Sequence, residues 1–143
     1  MLYTRILWAC VLVTAVSIGW MVWAPNTHKA EEKTAAKAAV ETYIAAFVRG
    51  DGNTACDRLT NSAREAVINA AGRVGAASCP DAFERTRRLG GREVTGVARK
   101  IRVIKVSIAN GRAKVTLNSA GVDSIAEVEK EAGKWKIATL PKA

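Results

Sequence analysis

Histidine is nearly missing from this chain of 143 residues: His28 stands alone, with no serine or cysteine nucleophile beside it. A single imidazole in a polar stretch is an exposed side chain, and no catalytic role follows from it. Cysteine is scarce as well, at positions 10, 56 and 79 only. Two thiols outside the first apolar segment and one distant histidine fall short of four ligands, so no structural zinc site, and no other metal or cofactor, is expected. Internal repeats and low-complexity linkers are absent. Acidic residues are in deficit, 13 against 22 Lys and Arg, leaving a net charge of +9. No grouping of nucleophile, base and acid emerges, so the residues speak to location, architecture and binding surface.

Charge is also missing from one long stretch, and that absence is informative. From Ile6 to Ala24 nineteen residues run without a charged side chain. At ~1.5 Å of rise per residue, a helix of that length matches a hydrocarbon core of roughly 30 Å. Trp8 stands near one end of the run, Trp20 and Trp23 near the other, and Tyr3 just outside, as amphipathic rings at the headgroup level do. A cleaved signal peptide is the rival reading. Its apolar region is shorter, and the small-x-small site Val22-Trp23-Ala24 is followed by Pro25, which disfavours cleavage. Leu7-Trp8-Ala9-Cys10 resembles a lipidation box, but it comes too early for an apolar region to precede it. Ala15 and Gly19 form one small-xxx-small pair, a route to self-association of two anchors. The expected organisation is an anchor over residues 1–25, a polar stalk over 26–33 and one domain over 34–143, with membrane lipid contacting residues 6–24.

After Pro25 about 118 residues remain, enough for one core. Helical spacing runs from Lys33 to Val48, with Ala36, Val40, Tyr43 and Phe47 on one stripe and Ala39 and Ile44 beside it. Gly50 is suited to the position after a helix end, and Asp51 to capping a short helix through Leu59. A third helix is expected to open near Thr60 or Ser62, where Ser62-x-x-Glu65 has capping-box form, and to reach Ala71. Cys79-Pro80 opens a fourth, ending at Leu89 before Gly90-Gly91.

Beyond the glycines the pattern switches to period two. Asn110-Gly111 is a strong hairpin signal, pairing Ile108 with Ala113, Val106 with Val115 and Ile104 with Leu117. Adjacent Val103 and Ile104 break the alternation, as a β-bulge does. A second hairpin about Ala132-Gly133 sets Val128 against Ile137, Lys130 against Trp135, Glu129 against Lys136 and Glu131 against Lys134. Helices first and an antiparallel sheet afterwards predict an α+β domain with helices on one sheet face.

Cys56 and Cys79 fall in the helical half. A bridge between them closes a loop worth roughly 3 kcal/mol of chain entropy, and it is the preferred reading; two buried free thiols are the alternative. The bridge implies oxidising space, so the domain is expected outside the cytoplasm. The flanking charges point the other way: Arg5 precedes the run while Lys29, Lys33 and Lys37 follow it.

The segment Val40-Glu41-Thr42-Tyr43-Ile44-Ala45-Ala46-Phe47-Val48-Arg49-Gly50-Asp51 resembles the first-helix signature of the nuclear transport factor 2-like superfamily. Ala55, Leu59 and Thr60 resemble its short second helix and the entry to its third. Gly133-Lys134-Trp135-Lys136-Ile137 resembles its last strand. The likeness covers roughly residues 33–140 and is closest to bacterial membrane-anchored members with two cysteines in the helical layer. It implies a cone in which a curved antiparallel sheet wraps helices around a pocket. In the ketosteroid isomerases of that superfamily the tyrosine matching Tyr43 donates to an oxyanion. The expected aspartate base has no counterpart, since residues 61–71 offer only Glu65, and proton transfer needs one. Tyr43 and Phe47 are therefore expected as core or pocket-lining rings.

The charge excess is concentrated. Between Arg85 and Lys114 ten Lys and Arg face one acid, Glu93, so this stretch carries a net charge equal to that of the whole chain. Lys100, Arg102 and Lys105 are read as the outward phase of a strand, with Lys114 on its hairpin partner. Arg99 is read on the Ile101/Val103 phase, at the pocket rim. A solvated basic face is one reading. The other is a surface for anionic lipid, a cell-wall polymer or an acidic protein. Nucleic acid is disfavoured because aromatics do not interleave with these cations. The preferred function is a membrane-anchored, extracytoplasmic, non-enzymatic binding or assembly domain of a bacterial envelope, similar in layout to channel-assembly subunits of type IV secretion. A pocket protein binding around Tyr43, Phe47 and Arg99 is the second reading, and an isomerase- or dehydratase-like enzyme the third.

Overall fold

Glycine sets the end of the first helix. The computed structural model describes residues 27–141, of which 27–49 are helical (α1). The chain divides into two compact units, Met1–Glu32 and Lys33–Ala143. The expected span at 6–24 lies outside the described residues. Among those described, no helix is long and apolar enough to cross a membrane. At the end of α1, Gly50 adopts φ +82. Its N–H donates to Phe47 O and that of Asp51 to Ala46 O, at 3.1 and 2.9 Å. These two bonds form a Schellman turn, which requires the left-handed backbone that glycine tolerates.

Asp51 then caps α2 (Gly52–Asp57) by accepting from the Thr54 N–H at 3.0 Å. Hydrogen bonds from Thr54 hold its carboxyl below the ordinary range. The helix stops two residues short of Leu59 because the chain is taken up elsewhere. Leu59 bridges Ile137 in parallel; the Ile137 N–H donates to Arg58 O (2.7 Å) and the Thr60 N–H to Ile137 O (3.0 Å). The cap of α3 (Asn61–Ala71) is Thr60, whose Oγ1 accepts from the Ala63 N–H at 3.2 Å. The Ser62 capping box is thereby displaced: Ser62 already lies inside the helix and its hydroxyl meets Thr60 Oγ1 at 3.1 Å. A 3₁₀ turn, Gly72–Val74, follows.

The fourth helix, α4 (Cys79–Lys100), differs from expectation. Gly91 breaks its geometry with φ 55 and ψ −143, yet the chain resumes as helix and ends at Lys100. Val94, Val97, Ala98 and Ile101 recur at helical spacing, which the Gly-Gly pair masks. Arg99 and Lys100 therefore belong to a helix end and not to a strand. The disulfide between Cys56 and Cys79, with Cα atoms 6.1 Å apart, fastens α2 to the start of α4.

Four strands follow as a meander in the order β1 (Arg102–Ala109), β2 (Arg112–Ser119), β3 (Val122–Glu131) and β4 (Lys134–Thr139), all antiparallel. Asn110-Gly111 and Ala132-Gly133 form two of the turns, with positive φ at all four residues. The expected pairs Ile108–Ala113, Val106–Val115, Val128–Ile137 and Lys130–Trp135 are present. Ile104 does not pair with Leu117. The bulge between Val103 and Lys105 gives that partner to Val103 and leaves Ile104 exposed. A third hairpin, Ala120-Gly121, joins β2 to β3 with φ 52 and 85.

One sheet face is buried through Val115, Leu117, Val128, Trp135 and Ile137. They share a core with Ala36, Ala39, Val40 and Ala46 of α1, Leu59, and Phe83 of α4. The helix contributes mainly alanine and the sheet most of the bulk, so the layers can approach closely. Over the described residues the fold is α+β, with four helices and a four-stranded antiparallel sheet.

Replacing both Cys56 and Cys79 with Ala is expected to lower unfolding stability by about 3 kcal/mol. A denaturant titration of the oxidised wild type against the variant reads this directly, and equal midpoints would contradict it. Ala132 sits at φ 50 in a turn that favours asparagine. Ala132→Asn should raise stability by about 0.5–1 kcal/mol; a midpoint that falls or stays unchanged would show that the turn is not strained.

Candidate functional site

Aromatic packing places the candidate site between helices. Phe83, one turn into α4 beyond Cys79, is buried and meets two rings of α1 edge-on. The Tyr43 and Phe47 centroids both lie 5.8 Å from it, with interplanar angles of 72° and 69°. Edge-to-face rings at this spacing are favourable beyond the area they bury. On either side of this trio the surface opens into apolar clefts.

The larger cleft, of about 630 Å³, lies over Tyr43, Phe47 and Phe83 and is bounded by Val74, Leu89 and Leu140. The second, of about 440 Å³, also has Tyr43, Phe47 and Leu140 in its wall. It reaches Val97 on the far half of α4 and Val122 at the start of β3. Both are within the ordinary size range of ligand sites. Leu89 (71% exposed), Val122 (69%), Val97 (56%) and Val74 (43%) stand at the rims, an unusual outlay of large apolar side chains to water.

Neither cleft contains an Asp, Glu, His, Cys, Lys or Arg side chain. Thr86, Ser119 and Ser124 supply the polar groups besides the phenol. Burial pushes the Tyr43 phenol well above the ordinary tyrosine pKa. No described residue forms a hydrogen bond with it. Glu65 is exposed on α3 and lines neither cleft. With no general base at hand, the tyrosine is a ring with a polar tip.

Tyr43 and Phe47 thus come together, whereas Arg99 stands in a third cleft of about 310 Å³ with Glu41, Ile44, Ala98, Ile101 and Arg102. Phe83, the central ring, was missed by sequence reading. Its signal was its position one helical turn after a cysteine that anchors the helix. Among the described residues no group of three or more His, Cys, Asp or Glu could hold a metal ion.

The four basic positions divide by environment. Lys114 is exposed, but it pairs in register with Glu127. Its strand neighbour Arg112 reaches Glu129 at 3.6 Å. Across β3, Glu131 accepts from Lys136 at 3.0 Å and from the Asn61 N–H at 3.1 Å, and these bonds hold its carboxyl below the ordinary range. The acids of β3 therefore offset the bases of β2 and β4. Among the described residues Lys100, Arg102 and Lys105 have no such acidic neighbour: Arg102 and Lys105 lie on β1, an edge strand beside β2 alone, and Lys100 ends α4 just before it. Arg102 also donates to the carbonyls of Arg99 and Ile101, at 2.7 and 3.0 Å, closing the end of α4.

Raising the pH should expose the burial of Tyr43. Its folded-state pKa is raised, so this contribution to stability is complete below the unfolded value of about 10 and is lost as pH rises beyond it. In a Tyr3→Phe chain, ultraviolet titration of the remaining phenol should begin later than for free tyrosine, and ionisation at the free value would contradict its burial. No family model, curated protein or solved structure matches this chain.

Proposed function

We propose that this chain is a membrane-tethered, non-enzymatic binding domain held outside the cytoplasm in a bacterial envelope. One observation carries the binding reading: an aromatic-floored cleft with exposed apolar rims and no titratable group but a phenol raised out of working range. A site of this kind can hold an apolar group and cannot transfer protons at neutral pH. Isomerase or dehydratase chemistry is disfavoured on the same ground.

Location rests on two independent features. The uncharged run from Ile6 to Ala24 is long enough to cross a bilayer. The Cys56–Cys79 disulfide belongs to oxidising compartments. We rank it above the flanking-charge bias, which amounts to a few lysines. The cone of the nuclear transport factor 2-like superfamily belongs to this reading too. Support for it comes from the Gly50-Asp51 helix end, the short capped α2 and the helices laid on one face of an antiparallel sheet.

A second reading, an assembly domain recruiting an acidic partner, is favoured by Arg99, Lys100 and Lys105, which form no ion pair among the described residues. The full chain, fused at its C-terminus to a reporter enzyme active only after export, separates inside from outside. We expect an active reporter, with Cys56 and Cys79 labelled by a thiol reagent only after reduction. An inactive reporter with freely reactive thiols would overturn the placement.

A further inference from the structure

We propose that the cleft takes an anionic amphiphile, with its acyl chain along the Tyr43–Phe47 floor and its carboxylate or phosphate head at Arg99. This rests on the binding reading above and adds the class of ligand. The argument comes from two clefts of opposite chemistry that share a wall. Ile44, Ala98 and Ile101 line both the apolar cleft of about 440 Å³ and the smaller one that holds Arg99. A molecule lying across that wall meets hydrocarbon on one side and guanidinium on the other.

The cationic end has charge to spare. Among the described residues, Arg99, Lys100 and Lys105 form no ion pair, and Arg102 uses one nitrogen on helix-end carbonyls. The single acid in that cleft, Glu41, is matched by Lys37 one turn back, at 3.6 Å. Guanidinium groups bind carboxylate or phosphate oxygens in pairs, and an exposed arginine gives up little hydration in doing so. A second copy of this chain fits poorly here, since it brings the same excess of positive charge. A wholly apolar ligand leaves the cations unused, and a small anion leaves the clefts and their exposed rims unused. An acyl chain with an anionic head uses both, its affinity coming from buried hydrocarbon and its orientation from charge.

Photolabelling of the full chain in nanodiscs of phosphatidylcholine tests this. Two probes share one diazirine-bearing hexadecyl chain, ending either in phosphate or in a neutral alcohol. We expect the phosphate probe to label peptides carrying Tyr43, Phe47 and Val94 about three- to fivefold more than the alcohol probe. Arg99→Gln, a substitution at an exposed site, should bring phosphate labelling down to the alcohol level and leave alcohol labelling unchanged. Val97→Glu, at the exposed rim, should lower phosphate labelling by repulsion. Equal cleft labelling by both probes, indifferent to Arg99→Gln, overturns the anionic head and leaves the apolar binding reading standing. Labelling by neither probe on these peptides, or only on residues 1–26, overturns both.

Discussion

The bond between Cys56 and Cys79 fastens the start of α4 to α2, and the candidate site is built from that point. Phe83 lies one turn downstream and is the ring on which Tyr43 and Phe47 both rest. The two helical segments would otherwise be held by modest forces. The helix α2 is six residues long, too short to persist on its own propensity. The approach of α1 to the sheet relies on alanine, which contributes little burial per residue. A covalent staple suits such a layer.

A second constraint follows from the small residues. Ala36, Ala39 and Ala46 of α1 are buried in the core, while the rings of Tyr43 and Phe47, which flank Ala46 along the same helix, are not fully enclosed. Tyr43 and Phe47 remain partly exposed and form a floor. The kink at Gly91 divides α4 beside this floor. The larger cleft is bordered mainly by the first half, through Phe83, Thr86 and Leu89, the second by Val97 and Ala98 of the other half, with Val94 in both walls. A filled core and an open pocket are thus produced by the same helix, its alanines buried in the core and its two rings at the core's margin, lining the clefts.

The sheet was the most legible part of the molecule. Period-two alternation and paired positive-φ turns specify register locally, so both predicted hairpins have the expected partners near their turns. The reading failed where two signals compete. At Val103-Ile104 either residue satisfies the alternation, and the bulge assigns the inward place to Val103. Ala120-Gly121 passed unnoticed because alanine rarely takes positive φ, although Ala132-Gly133 makes the same turn. Gly90-Gly91 suggested a helix end, yet the backbone bends and resumes. Of the candidate site, Tyr43 and Phe47 were legible from one helical stripe. The separation of Arg99 from them was not, since it depends on how α4 crosses α1, a tertiary matter without local signature.

Charge placement shows why the excess settles where it does. In a meander, β3 has neighbours on both sides, and its acids can offset bases on β2 and β4 together. The sheet's outer face consequently neutralises itself, through Arg112–Glu129 and Lys136–Glu131 among others. An edge strand has one neighbour only, and the end of α4 feeds directly into it. Cations placed there escape internal pairing. Lys105 and the bulge also guard β1 against pairing with another strand. Protection of an edge needs charge somewhere along the strand and does not require it beside a cleft. Arg99 lies outside the strand, on the helix, next to the wall of Ile44, Ala98 and Ile101. Edge protection therefore accounts for Lys105, and Arg102 has a helix end to close. Neither structural duty gives a reason for Arg99 or for Lys100, and of these two it is Arg99 that lines a cleft.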